Sequence, residues 1–222
     1  MSAVPDRTSA EIQLVVFDLG RVLVRICRDW QHACECAGLK WPQIDAPTAA
    51  RLKEVAQRAE IGQIGAPQFY AEAARVLGCG PENIRAISDA FVVGPYPGAA
   101  EVLAELASAG IKTACLSNTN EHHWSLLSEP GHRAWLPMDR LTHHFASHLM
   151  QARKPDEAIY AQVEREVGLP PDQILFFDDL PENIEAAHRR GWNAQWIDPA
   201  VDDPIFQIRS TLRRYRIILE GR

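Results

Sequence analysis

Six side chains in this sequence have the types and spacing to build one reacting centre. Asp18 closes the short apolar run Leu14-Val15-Val16-Phe17, and Ser117 and Asn118 follow the run 111–116. Asp178 and Asp179 follow Ile174-Leu175-Phe176-Phe177, and Lys154 comes a few residues after His144-Phe145-Ala146-Ser147. A carboxylate nucleophile, a hydroxyl-and-amide loop, a fixed ammonium and a carboxylate pair would converge on one pocket. Alone, an Asp after an apolar strand is a turn or a helix cap, and a Lys-Pro pair says nothing. Four such sites at corresponding strand ends are hard to explain as caps.

The elements that must position these residues alternate in type. The apolar runs, with a fifth at 194–197, read as buried strands. Between them lie helical patterns at 98–109, 156–167 and 181–190, stopped by Gly110, Gly168 and Gly191. Strands alternating with helices predict an α/β doubly wound, Rossmann-like parallel sheet, whose ligands bind at the carboxyl ends of the strands. Residues 25–95 show no convincing strand and read as helices near 28–38, 47–60, 67–77 and 81–90, an inserted helical cap. The expected division is a core of 11–24 and 96–205, the cap at 25–95, and a C-terminal helix at 206–222 packed on the core. In that tail, 209–222, five arginines face one glutamate. Its apolar residues, Leu212, Tyr215, Ile218 and Leu219 among them, fall at helical spacing, so packing on the core is preferred to a membrane-surface role.

Composition bounds what the chain can bind. Its 222 residues are 46% hydrophobic and 23% charged, enough for a sizeable core and too apolar for disorder. A net charge of −6 argues against a nucleic-acid scaffold partner. The start, 1–13, lacks a secretory pattern and no apolar run approaches the ~20 residues that span a bilayer, so no membrane role and a cytoplasmic location are expected. Five cysteines without a CxxC pair point to a reducing compartment. Cys27, His32, Cys34 and Cys36 crowd one segment, but Cys34 points away from the 32/36 face and no pair has finger spacing. A half-buried helix is preferred there to a zinc site.

Taken with their neighbours, the six residues form four motifs: Phe17-Asp18-Leu19-Gly20-Arg21-Val22-Leu23, Leu116-Ser117-Asn118-Thr119-Asn120, Arg153-Lys154-Pro155, and Phe176-Phe177-Asp178-Asp179-Leu180-Pro181-Glu182-Asn183. In this order and spacing they resemble the haloacid dehalogenase-like hydrolase superfamily over residues 13–198. The nearest likeness is to phosphatases of α-glucose 1-phosphate and to the phosphatase domain of epoxide hydrolases. The resemblance implies a Mg²⁺-dependent phosphatase acting on a small phosphorylated metabolite, a sugar phosphate, as a monomer or homodimer. Asp18 would be the nucleophile and Lys154 the charge that offsets it. Ser117 and the amides of Asn118 and Thr119 would receive the transferring oxygens. Asp18, Asp179 and the Gly20 carbonyl would hold Mg²⁺, with Asp178 beside them directly or through water, and Asn183 would orient the metal's surroundings.

One departure stands out. Phosphatases of this superfamily usually carry a second Asp two residues after the nucleophile to protonate the leaving oxygen; here Gly20 occupies that place, as a glycine does in the glucose 1-phosphate phosphatases that the chain resembles. Such an acid is worth roughly 10²–10⁴-fold, so a good leaving group, such as an anomeric sugar oxygen, is favoured. Six of the eight histidines lie between 122 and 148, which makes His122 and His123 candidates for the donor, solvated loop histidines being the plainer reading. Gly20 also keeps open a metal-free 2-haloacid dehalogenase, against which the Asp178-Asp179 pair weighs, and a phosphate-binding or regulatory protein without turnover. Arg21 and Arg25 are candidates to meet the phosphate or the cap. The loop from Glu60 through Ile64, with Gln63 in it, is a candidate for reading the substrate, or a plain helix stop.

Overall fold

Leu14–Phe17 is buried on every side and forms β1, the middle strand of a five-stranded parallel sheet. The computed structural model describes residues 11–218. Chain order runs β1, then β2 (Val24–Ile26), α1 (Trp30–Cys36), α2 (Ala46–Glu60), α3 (Ala66–Leu77), α4 (Pro81–Phe91) and β3 (Val92–Pro95). It continues through α5 (Ala99–Ser108), β4 (Lys112–Ser117), α6 (Glu121–Ser128), β5 (His143–Ala146), α7 (Ser147–Met150) and α8 (Glu157–Val167). Then come β6 (Ile174–Asp178), α9 (Pro181–Arg189), β7 (Asn193–Trp196) and α10 (Pro204–Arg214).

The sheet order is β5-β4-β1-β6-β7, all parallel. The chain winds from β1 to β4 on one side and crosses back to β6 on the other. The order therefore reverses at the carboxyl end of β1, where open α/β sheets bind ligands. Alternate residues feed two cores. Val15, Phe17, Cys115, Leu175 and Phe177 pack under α5, α6 and α10, whereas Leu14, Val16, Leu116, Ile174 and Phe176 pack under α8 and α9. Both faces are covered, which is why these strands read as unbroken apolar runs. The fold class expected from the sequence is the one observed.

The chain leaves the sheet after β1 and builds four helices around a core of their own, from Cys27 and Cys34 to Phe69, Ile84 and Ile87. Asp29 and Asp45 cap α1 and α2 with side-chain bonds to the amides of His32 and Thr48, and Pro67 and Pro81 sit in the first turns of α3 and α4. The expectation of no strand in this stretch is corrected. β2 and β3 pair antiparallel where the chain leaves and returns. At three and four residues, with Gly94 and Pro95 inside β3, they are too short to show a period of two. Among the described residues no helix is long and apolar enough to cross a membrane. α10 spans Pro204–Arg214, and Arg216 turns left-handed (φ 59°), so among the described residues the expected terminal helix stops at Arg214. Leu219 lies outside the described residues.

Candidate active site

The loop after β1 turns tightly: the amides of Leu23 and Val24 donate to Leu19 O, and Arg21 adopts φ 59°. This keeps Asp18 at the strand end, 8% exposed, facing the ends of β4 and β6. Lys154, 1% exposed, reaches between two carboxylates, with Nζ 2.8 Å from Asp18 Oδ1 and 2.6 Å from Asp178 Oδ2. The remaining Asp178 oxygen accepts from Leu180 N and Asn183 Nδ2, each at 2.9 Å. Asp178 is thus saturated by protein donors, whereas among the described residues no donor engages Asp18 Oδ2. Burial works against the charged ammonium of Lys154, yet Asp178 and Asp18 outweigh it and hold its pKa above the ordinary lysine range.

The acids are short of positive charge. Burial pushes the Asp18 carboxyl up to about 7, with Asp178 and Asp179 adding to the rise and Lys154 opposing it. Burial, then Asp178, pushes Asp179 up to about 6, against Arg21 and Lys154. Arg21 is only a distant partner, 3.7 Å from Asp179, and its other nitrogen donates to Arg28 O. One carboxylate oxygen from each of Asp18, Asp178 and Asp179 lies within 4.8 Å of the other two. Asn183 Oδ1 is buried beside them without a hydrogen-bond partner. An all-oxygen donor set with surplus negative charge and an orphaned amide oxygen fits a hard divalent cation such as Mg²⁺.

A cavity of about 180 Å³ brings together Asp18, Gly20, Arg21, Ser117, Asn118 and Lys154, with Asp179 and Asn183 opposite. Several expected residues are elsewhere or otherwise engaged. The Thr119 amide donates to Ser147 Oγ at 2.9 Å, so it cannot serve a bound oxygen, a correction to the expected role. The Asn118 side chain grips the Lys154 backbone twice, Nδ2 to Lys154 O and Lys154 N to Oδ1, both 2.9 Å, and so sets the lysine. Arg25 is exposed on β2 opposite Gly94, and Gln63 is exposed after α2. The loop before Gln63 leans on the core instead: a Cβ at Gly62 would sit 2.1 Å from His148 O.

The two histidines are not at the cavity either. They belong to α6, an element the sequence reading passed over, and they face α4. His122 Nε2 lies 2.7 Å from Asp89 Oδ1, and His123 Nε2 lies 3.0 Å from Ser88 Oγ. Burial depresses the His123 pKa to about 4, so it stays neutral. Neither is placed to protonate a leaving group at Asp18. At Gly20 itself, a Cβ would stand 3.1 Å from Ile26 Cδ1, so an apolar side chain borders the place of the missing acid. Ser147 was missed altogether. Fully buried, its hydroxyl accepts from Thr119 N and bonds Glu60 O at 2.6 Å, tying the Ser117 loop to the helical insert. Its only signal was a small polar residue at the end of β5.

A second cavity, about 410 Å³, opens between α1 and α2 and reaches the core at Arg153, the neighbour of Lys154. Trp30, Trp41 and Leu52 form its apolar wall, with Gln57, Glu60 and Lys53 on the polar side. Arg153 NH2 pairs with Glu60 Oε2 at 3.1 Å, while Arg153 Nε is buried without a partner. Burial raises the Glu60 pKa against the pull of Arg153.

Phosphatase MT3486 of Mycobacterium tuberculosis (strain CDC 1551 / Oshkosh) is 29% identical over 200 residues, 84% of this chain and 88% of the relative. An (S)-2-haloacid dehalogenase of Pseudomonas fluorescens is 27% identical over 118 residues, 53% of this chain and only 50% of its own length. Among solved structures, the HAD family enzyme bt-2542 of Bacteroides thetaiotaomicron superposes with a TM-score of 0.72 at 22% identity, covering 84% of this chain and 94% of that one. That enzyme was also solved with magnesium and inorganic phosphate. The L-2-haloacid dehalogenase of Xanthobacter autotrophicus gives 0.57 at 24%, over 84% and 77%. At these identities the structures share the fold. The haloacid dehalogenase-like hydrolase profile matches residues 12–191, most of the chain, and the protein belongs to that family of hydrolases.

Proposed function

We propose that this hydrolase is a Mg²⁺-dependent phosphatase that cleaves a small phosphomonoester, a sugar phosphate, through an aspartyl-phosphate on Asp18. The observation that carries the reading is the surplus of acid around a single lysine. Asp18 and Asp179 line one small cavity with Asp178 buried within 4.8 Å of both, and Lys154 is the only buried cation among the described residues. Mg²⁺ held by Asp18, Asp179 and the Gly20 carbonyl, with Asp178 beside them, would neutralise the charge that otherwise repels a phosphate dianion from a carboxylate. That enzyme bt-2542 was solved with magnesium and phosphate supports the same choice.

The chain's own residues divide the work. Lys154 fixes Asp18 Oδ1 and leaves Oδ2 to attack phosphorus. The bond from phosphorus to the ester oxygen breaks, and that oxygen leaves with a proton from water, since no side chain in the cavity is placed to donate one. Ser117, 4% exposed at the cavity wall, donates to a phosphoryl oxygen. A water molecule then attacks phosphorus and gives up its proton to the hydroxide left by the first step, and Asp18 departs as the carboxylate. The helical insert would act as a cap, and the 410 Å³ cavity, whose Arg153 precedes Lys154 in the chain, is the space we assign to the leaving group. Its tryptophans offer a flat apolar face and its Gln57, Glu60 and Arg153 offer hydrogen bonds, a combination suited to a sugar ring. Its two acids, Asp29 and Glu60, balance Lys53 and Arg153, which favours a leaving group without further charge.

A phosphate-release screen over sugar and nucleotide monoesters, with and without Mg²⁺ and against Asp18→Asn, tests this. Release from sugar phosphates that needs both Mg²⁺ and Asp18 is expected. Halide release from 2-haloacids that ignores a chelator, with no phosphate from any ester, would establish the dehalogenase alternative instead. Any Asp18-dependent turnover excludes a purely regulatory protein.

A further inference from the structure

A group of ligating side chains far in chemistry from the acidic cavity lies where the chain enters the helical insert. Cys27 directly follows β2, and α1 then brings His32 and Cys36, one turn apart, back over it. One ligand atom from each of the three lies within 4.8 Å of the other two. The Cys27 and Cys36 sulfurs are 3.9 Å apart. Two thiolates sharing a tetrahedral zinc ion at ~2.3 Å each stand roughly 3.8 Å apart, whereas a disulfide needs ~2.05 Å. The pair already has the span of a shared ion. We propose that Cys27, His32 and Cys36 form a binding site for a borderline-soft divalent cation, Zn²⁺, separate from the oxygen-lined Mg²⁺ site.

The surroundings grade from closed to open. Cys27 is buried, His32 half-buried and Cys36 exposed, so an ion reaches the site from the Cys36 side without unfolding the helix. The ring of His32 is already oriented, because Nδ1 accepts a 3.2 Å bond from Arg28 N. Asp29 is not free to complete the set, since its oxygens accept from His32 N and Arg28 Nε. Water takes the fourth position. Cys34, on the same helix, faces the apolar core and takes no part. The ion would pin β2 to α1 at Arg28, whose carbonyl Arg21 holds from beside Asp179.

Cobalt distinguishes this site from the acidic one, because only thiolate ligands give an intense near-ultraviolet charge-transfer band. The metal-free, fully reduced protein is titrated with Co²⁺ under excess Mg²⁺. One equivalent is expected to raise that band together with tetrahedral visible absorption, and stoichiometric Zn²⁺ to bleach both. Cys36→Ser, at an exposed position, and His32→Ala should each weaken binding roughly tenfold or more, while Cys115→Ser on β4 leaves it unchanged. Cobalt bound without the band would place it on carboxylates and overturn the proposal. A band that survives both Cys36→Ser and His32→Ala would do the same.

Discussion

The sheet and the helical insert solve opposite problems. At the sheet's carboxyl edge the polar groups are inside: Asp18, Lys154 and Asp178 are 8%, 1% and 0% exposed and neutralise one another incompletely. Within the insert the interior is apolar from Trp30 to Phe91, and its polar groups sit at the rim facing the core. There they form separate links: Glu60 to Arg153, Asp89 to His122, and Ser88 to His123. A parallel sheet covered on both faces can hold charge in fixed positions, because its strand ends are rigid and dry. An insert attached through a two-strand ribbon and a few side-chain links contributes shape. Reactivity should therefore respond to changes in the core by orders of magnitude, and to changes in the links by small factors.

The sharpest way to break that contrast is at Asp18. If Asp18 is the nucleophile as proposed, Asp18→Asn should lower kcat by roughly 10⁴-fold or more, since a nucleophile has no substitute. Stability should hold or rise, because the substitution removes one of three carboxylates crowded against a single lysine. Turnover assays with denaturant melts check both halves. Retained activity would move the chemistry off Asp18.

Lys154→Met should cost about 10²–10³-fold in kcat and also destabilise the fold by ~3–5 kcal/mol at neutral pH, by stripping the partner from two buried carboxylates. Groups raised as Asp18 is bind protons in the folded state first. The loss should therefore shrink as pH falls from about 7 toward the unfolded carboxylate range near 3.8. A loss independent of pH would mean that packing, not charge, is what Lys154 supplies.

How much of this the sequence disclosed follows the same division. β1, β4 and β6 were legible because a strand buried on both faces must be apolar throughout, and the polar residue that ends each run, Asp18, Ser117 or Asp178, then stands out. The insert's helices were legible between the breaks that Gly38, Pro42, Gly62, Gly65, Gly78 and Pro81 make in the chain. What escaped depends on approach between distant segments. β2 and β3 exist only as partners of each other. Ser147 matters because Glu60 and Thr119 reach it, and Asn118 because it holds the Lys154 backbone. His122 and His123 read as loop residues because α6 has little amphipathic contrast, although Asn120 at its start does cap it. Cys27, His32 and Cys36 have no motif spacing, since β2 must turn back before they meet.

The links are tested next, by His123. Its folded pKa of about 4 lies below the ordinary value of 6.5, so on acidification the unfolded chain takes up the proton first. Its contribution is complete above pH 6.5, declines as pH falls toward 4, and changes no further below that. It amounts to about 3 kcal/mol. Asp18 and Asp179 act in the opposite sense over an overlapping range, so the comparison must be with His123→Gln, where they cancel. Wild type should lose stability relative to the variant between pH 6.5 and 4. Parallel profiles would show that the ring is not held neutral against α4.

The smallest effect is expected at Glu60, where insert and core meet beside the larger cavity. Its pair with Arg153 is roughly 30% exposed on both sides, and a link of that kind is worth no more than about 1 kcal/mol. Glu60→Gln keeps the shape and a hydrogen-bonding oxygen while removing the charge. If the cavity receives the leaving group, the variant should raise KM a few-fold and leave kcat within about twofold, because the lost interaction acts on bound substrate and transition state alike. Stability should stay within ~1 kcal/mol, since burial already opposes the Glu60 charge. The informative contrary result is a fall in kcat with KM unchanged. The insert would then act on the reacting groups through Ser147 and the Ser117 loop, and the division between a core that carries charge and an insert that carries shape would fail at this joint.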